Sequence, residues 1–488
     1  MPSSIKNRGK IEKILLQIRP DYLDAYGGDS TQLLKTREAL MRSGIQVDIS
    51  TELEPDLTEY DLVHLFNITR IDETYYQALN AFKQDKPVVL SVIYWALDEL
   101  ENCKGIPPIL FENDEGLCKI KESILSTGKS VNTQYLSKNS WERNIFKNKQ
   151  RVVLHISDIL LPNSRTELDL LKHLYNLSSP KYHIVPNAAD LSFGEAKSDE
   201  FVKKYGLKDF VLCVGRIERR KNQLSLLYAL RDTDIPIVLV GDTLDKEYFS
   251  LCQKYASEKT LFLGSLKHNE LGPVYAAAKV HVLPSWYETP GLTNLEAALA
   301  GCNIVCTNRG STKEYFGELA RYCNPTDPES IKKAVCEAFY SPRQNKLKDL
   351  VAARFTWDKA AEETILGYEL ALKTHSTKIH PGGRGRKVGS DMDFEASKEV
   401  VENLELLAEQ QNAYIAHLKK LVDENLIKIA DLERQIAQNE EQIRRLSEEI
   451  SSKENSIREL SASLERIRST PAYRVYRYFK DRRFFSAK

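Results

Sequence analysis

The stretch "VHVLPSWYETPGLTNLEAALAGCNIVCTNRG", residues 280–310, decides how this chain folds. It reads as a short apolar β-branched run, a Pro/Gly break, an Ala- and Leu-rich helical segment, and a second apolar run. A continuous apolar strand, then a helix, then another such strand is the repeating piece of a parallel sheet covered on both faces. The same texture precedes it in "DFVLCVGR", "PIVLVGD" and "TLFLGSL". Further upstream it recurs in "KILLQI" (13–18), "IQVDIS", "DLVHLF", "PVVLSVIYW", "DILLPNS" and "HIVPNAAD". The expected fold class is therefore α/β, with two doubly wound, Rossmann-like units in series, 1–190 and 191–373. The second ends in a helix within "FTWDKAAEETILGYELALK", 355–373. Parallel sheets bind ligands at the carboxyl ends of their strands, so both units are expected to face one cleft.

The remaining chain has a different character. Residues 374–393, "THSTKIHPGGRGRKVGSDMD", are Gly-rich, polar and aperiodic, which predicts a linker. From Val401 onward an apolar residue returns every seven positions, at Ala408, Ile415, Val422, Ile429, Ile436, Ile443, Ile450, Ile457 and Leu464. The matching d series holds Leu404, Leu418, Leu432, Leu446, Leu460 and Ile467, interrupted by Gln411, Asn425, Asn439 and Lys453. Such a seam predicts a coiled coil over 394–470, roughly 100 Å long at 1.5 Å per residue. β-branched a positions with Leu at d favour a parallel homodimer, while the polar layers leave a trimer open. The tail 471–488 interleaves Tyr473, Tyr476, Tyr478, Phe479, Phe484 and Phe485 with Arg474, Arg477, Lys480, Arg482 and Arg483. That pattern suits an anionic membrane surface, a helical cap on the rod or a docking peptide, and the membrane is favoured.

Composition excludes some classes. Lys and Arg total 69 and Asp and Glu 69, so no global field draws the chain to nucleic acid. No secretory signal or spanning apolar run is visible, and the eight cysteines contain no CxxC pair, which predicts reduced thiols without a zinc site. The expected location is cytoplasmic, with peripheral contact at the inner face of the cell membrane through the tail.

Three stretches are expected at the cleft. "AYGGDSTQ" (25–32) joins the first strand to the first helix, where glycine permits close backbone approach and the helix N-terminus offers free N–H groups to phosphate. "VGRIERRKNQ" (214–223) places Arg216 and Lys221 at a second such junction, suited to a diphosphate; in isolation a solvated basic turn, with Glu218 pairing Arg219 or Arg220, is the plainer reading. The third stretch holds Glu288 at a strand end and Glu296 in the first turns of the following helix, so two carboxylates reach different parts of one ligand.

Taken together, "PNAAD", "VGRIERRKNQ", "LVGD", "LFLGSL" and "VYAAAKVHVLPSWYETPGLTNLEAALAGC" resemble the retaining GT-B glycosyltransferases of family four, the group 1 transferases, over roughly residues 10–373. The resemblance implies two facing Rossmann-like domains, a final helix crossing back to the first domain, and sugar transfer with retention from a nucleoside-diphosphate sugar, with no metal and no cofactor. It implies that Glu288, Arg216 and Lys221 are catalytic, that Glu296 holds the ribose, and that Gly28, Gly215, Gly291, Leu292 and Thr293 contact the donor. Many members carry a histidine after the strand equivalent to "PVVLSVI"; here Tyr94, Trp95, Ala96, Leu97 and Asp98 follow it. Tyr94, Trp95 and His64 are the acceptor-side candidates, and the acceptor implied is a glycan or lipid-linked glycan. Thr289-Pro290 also replaces the frequent Gly-Phe. The alternative is a coiled-coil scaffold of a glycan-assembly complex with a weak or silent GT-B head. A glycosidase would not need the basic cradle.

Overall fold

A computed structural model of the chain describes residues 11–103, 105–113, 140–377 and 391–485. Five short apolar runs form the first parallel sheet: β1 (Lys13–Gln17), β2 (Gln46–Ser50), β3 (Leu62–Phe66), β4 (Val88–Ser91) and β5 (Ile159–Leu161), in the order β2-β1-β3-β4-β5. Six more form the second: β6 (Val211–Val214), β7 (Ile237–Val240), β8 (Thr260–Phe262), β9 (Val280–Leu283), β10 (Asn303–Thr307) and β11 (Arg321–Cys323), in the order β11-β10-β9-β6-β7-β8. Central strands such as β3, β6 and β9 are buried along their whole length because helices cover both faces. Strand order reverses between β1 and β3 in one sheet and between β6 and β9 in the other. In open α/β sheets such reversals leave a crevice beyond the carboxyl ends of the strands.

The helix Trp357–Thr377 crosses back onto the first sheet. Trp357, Ala360, Ala361, Tyr368 and Ala371 join the apolar cluster that contains Ile14 and Leu16 of β1. It approaches closely at Gly367, where an added Cβ would lie 2.6 Å from Leu161 Cδ2. The helix runs to Thr377, four residues beyond the expected end, which shortens the linker; residues 378–390 lie outside the described residues.

Residues 408–488 form a unit of their own. A single helix, Asp391–Ser469, covers the heptad region, and a second, Pro471–Phe485, covers most of the tail. Proline begins the second helix, where its missing N–H costs no hydrogen bond. Val422, Ile429, Ile436, Ile443, Ile450 and Ile457 are all more than half exposed or close to it, so the predicted seam is solvent-facing in the single chain.

Two readings need correction. "HIVPNAAD" forms no strand, only the single bridge Ala189–Thr356, with Leu160–Tyr182 just before it, since Pro186 has no N–H to extend a ladder. His64 is not on the acceptor side. Side chains alternate along a strand, and that of His64 on β3 turns under the crossing helix. Its ring nitrogens meet Tyr368 Oη at 2.8 Å and Ser91 Oγ at 2.9 Å. Burial holds its pKa down at about 3, so it is neutral in the fold.

The unfolded chain protonates this imidazole near its ordinary value of 6.5, whereas the folded chain does not until about 3. Stability from His64 is therefore full above pH 6.5 and lost as pH falls through that window, by as much as ~1.4 kcal/mol per pH unit. His64→Gln, which keeps a donor and an acceptor, is expected to flatten the pH dependence of the urea midpoint between pH 6.5 and 5 relative to the unsubstituted chain. Parallel curves would contradict the assignment.

Candidate functional site

The two strand-order reversals open onto one cavity of about 660 Å³, lined from both sheets. Two helix N-termini face it across the gap. Gly28 begins the helix Gly28–Arg42, and an added Cβ there would lie 3.8 Å from Leu292 Cδ1, the first residue of the helix Leu292–Leu299. Leu292 packs against the first-sheet core, so this helix end belongs structurally to both domains. Gly215, Gly291 and Thr293 line the same cavity, and Thr293 Oγ1 donates to Val214 O at 3.3 Å.

The basic turn lies beside the Glu288 loop because of Asn222. This residue takes a left-handed conformation (φ 60°) and donates to Pro284 O at 3.0 Å and Pro325 O at 2.8 Å. Asparagine tolerates that backbone region and fills the hydrogen bonds itself. Lys221 Nζ then reaches Glu288 Oε1 at 2.5 Å, and Arg220 lies 3.8 Å from the same oxygen. All three side chains are largely buried. Burial raises the Glu288 pKa, but Lys221 and Arg220 outweigh it and hold the carboxyl below its usual range. Glu288 is thus ionised. Arg216, partly exposed on the cavity wall, lies 3.6 Å from Glu218, which also pairs with Arg220 at 3.2 Å.

The Glu288 loop is fixed from behind. Glu288 O accepts from Ser311 N at 2.9 Å, and Glu288 bridges Gly310. Gly310 has φ +83°, and an added Cβ would lie 2.1 Å from Glu288 O, so no other residue fits. Eight positions along, Glu296 is buried and accepts from Tyr275 Oη at 2.8 Å. His268 lies 3.5 Å from its other oxygen, and this carboxylate raises the His268 pKa.

The first-domain wall holds Tyr94 and Trp95 as expected. The Arg220 guanidinium sits 4.7 Å from the Trp95 ring centre, a contact between domains. Arg19, at the end of β1, pairs with Asp29 at 2.8 Å, and Asn67 Nδ2 donates to Asp29 at 3.1 Å. Asn187 donates to Thr289 O at 2.9 Å, where the chain departs from the frequent family pattern.

Arg216, Lys221, Glu288 and Glu296 therefore share one cavity with Gly28, Gly215, Gly291, Leu292, Thr293, Tyr94 and Trp95. The linear pattern missed Arg220, His268, Tyr275 and Asn67. Arg220 had a signal, the triple basic run, but its pairing with Glu218 made it look like a solvated turn. The other three carry no local signal, since only the strand order brings Asn67 and His268 to the cavity and Tyr275 behind Glu296.

Removing one partner of a buried pair leaves an uncompensated charge. Lys221→Met is expected to destabilise the chain by roughly 3–5 kcal/mol in denaturant unfolding. Glu288→Gln in the same chain should recover a large part of that loss, and two losses that simply add would argue against a coupled pair.

Residues 195–354 match the family described as glycosyl transferases group 1. The O-antigen chain mannosyltransferase B of Escherichia coli is 29% identical over 187 residues, 35% of this chain and 48% of that protein. The N-acetylgalactosamine-N,N'-diacetylbacillosaminyl-diphospho-undecaprenol 4-alpha-N-acetylgalactosaminyltransferase of Campylobacter jejuni is 32% identical over 168 residues, covering 33% and 45%. The chain thus spans about half the length of the curated relatives it matches. Sucrose-phosphate synthase from Thermosynechococcus elongatus shares the fold, with a TM-score of 0.57 over 74% of this chain and 99% of that one at 17% identity. Residues 195–354 thus match the group 1 glycosyltransferase family, and the two facing parallel sheets give residues 11–377 the same fold as that synthase.

Proposed function

We propose that the chain is a retaining glycosyltransferase that moves a sugar from a nucleoside-diphosphate donor to a glycan or lipid-linked glycan, without a metal. The observation that carries this reading is the cation cluster Arg216, Arg220 and Lys221 set between Glu288 and two helix N-termini in one cavity. A diphosphate suits this place, as bidentate guanidinium bonds, an ammonium and helix N–H groups all favour a leaving anion. Glu296, in the same cavity on the Leu292–Leu299 helix, is suited to ribose hydroxyls. Relatives named for O-antigen chains and for diphospho-undecaprenol support the acceptor class.

Glu288 is ionised by its cationic neighbours, which makes it a poor proton acceptor but a good electrostatic partner for a developing oxocarbenium. That favours retention. The bond from the sugar C1 to the phosphate oxygen breaks, the bond to the acceptor oxygen forms on the same face, and the acceptor proton passes to the departing phosphate. Lys221 would exchange Glu288 for the diphosphate as the donor enters. The exposed seam of the Asp391–Ser469 helix would bury against a second copy, and the helix Pro471–Phe485 would rest on an anionic membrane surface. Among the described residues, no helix is long and apolar enough to cross a membrane.

Thermal unfolding in the presence of UDP, GDP, ADP and their sugars tests the donor. Saturation at 100 times Kd adds about 2.7 kcal/mol, so one nucleotide should raise Tm clearly and the others less. Arg216→Ala is expected to slow turnover by roughly 10²–10³ while EDTA leaves it unchanged; full activity in the variant removes the leaving-group site. Deleting 391–488 should abolish the oligomer in sedimentation and spare transfer to a soluble acceptor. A head that binds no nucleotide would favour the scaffold reading.

A further inference from the structure

The first turn of the helix Arg165–Tyr175 lies outside the cavity, yet it holds both of the cavity's walls. Ser164 caps it, accepting from Glu167 N at 3.0 Å. From the second domain, the Glu314 carboxylate caps the same turn, accepting from Arg165 N at 2.8 Å and from Thr166 N and Oγ1 at 2.9 Å each. Beside it, Ser164 Oγ and Ser311 Oγ are 2.6 Å apart and buried. Tyr315 Oη donates to Asn163 O at 2.7 Å.

Ser311 is also the residue whose N–H binds Glu288 O. One side of the turn therefore leads, through a single residue, to the backbone of Glu288. The other side leads to the first-domain wall. Glu167, fully buried, accepts from Tyr94 N at 2.8 Å and from Asn163 N at 2.7 Å. Tyr94 precedes Trp95, which stacks on Arg220, which faces Glu288. The contacts make a closed ring through both domains.

We propose that this turn is a positioning element, in which Glu314 and Ser311 fix Glu288 against the first domain when the two domains meet. Glu314 does not line the cavity; its N–H donates to Ser311 O at 3.0 Å, and Ser311 carries its hold to Glu288. Burial supports the rigidity of the ring: it raises Glu167 to a pKa of about 7, a cost tolerated because the carboxyl holds two loops together. The inference rests on the transferase reading for its kinetic consequence, and its structural part stands apart from that reading.

Glu314 is exposed, so its loss should leave the fold intact. In the full chain, Glu314→Ala is expected to lower kcat roughly tenfold while the donor KM moves by less than about twofold, as misplacement of a reacting group predicts. Glu314→Gln, which keeps one acceptor oxygen, should fall between. In the Glu288→Gln background the same Glu314→Ala change should have little further effect. An unchanged kcat, or the same loss in both backgrounds, overturns the proposal. Amide hydrogen exchange decides it without any donor. Faster exchange across 285–291 and at Ser311 in Glu314→Ala supports the clasp, and unchanged exchange refutes it even if no nucleotide sugar is turned over.

Discussion

The buried pair of Lys221 and Glu288 is the constraint around which the second domain is arranged. An ion pair taken out of water is costly unless its geometry is good and its remaining polar atoms are satisfied. Here Arg220 and the backbone bridge to Gly310 and Ser311 complete it. Asn222 fixes the lysine's turn to the loop that carries the glutamate, and the β6/β9 reversal supplies the gap into which both point. Together these features hold the pair in place. A solvated Lys–Glu pair would require neither a left-handed asparagine nor a glycine whose Cβ has no room.

What could be read from the linear chain was whatever depends on short-range order. Apolar runs marked ten of the eleven strands, and strand-end positions put Arg216 and Glu288 at the cleft. The three-residue β11 was too short to show a pattern. His64 was misplaced for a related reason. A strand buried on both faces has no polar side, so its alternation does not say which side chains reach the cleft and which meet a helix 304 residues away. Tyr275 and His268 meet Glu296 only through the topology, and no local spacing encodes that meeting.

The C-terminal rod shows the opposite balance. Its heptads are fully legible, and the single helix follows them from Asp391 to Ser469. A helix of that length with an exposed apolar stripe is poorly stabilised alone, since propensity contributes little without packing. The stripe is the feature on which the proposed pairing rests. The Asn425 and Asn439 layers favour a partner with asparagines at the same heights, which an in-register copy supplies.

The two walls of the cavity differ in charge, and the difference bears on which substrate part goes where. On the first-domain wall the guanidinium of Arg19 is matched by Asp29 and Asp21, and Arg70 also lies near Asp21. Those groups are already neutralised, and with Asn67 they present fixed donors and acceptors suited to uncharged hydroxyls. On the second-domain wall Arg216, Arg220, Lys221 and Lys267 stand with Glu218, Glu288 and Glu296, four cations against three carboxylates, with a helix N-terminus adding to the positive side. Side-chain cations outnumber carboxylates on that wall, so it is the better place for an anion. The cavity thus sets a cation-rich wall against a wall of paired charges, with Glu288 held on the cation-rich side.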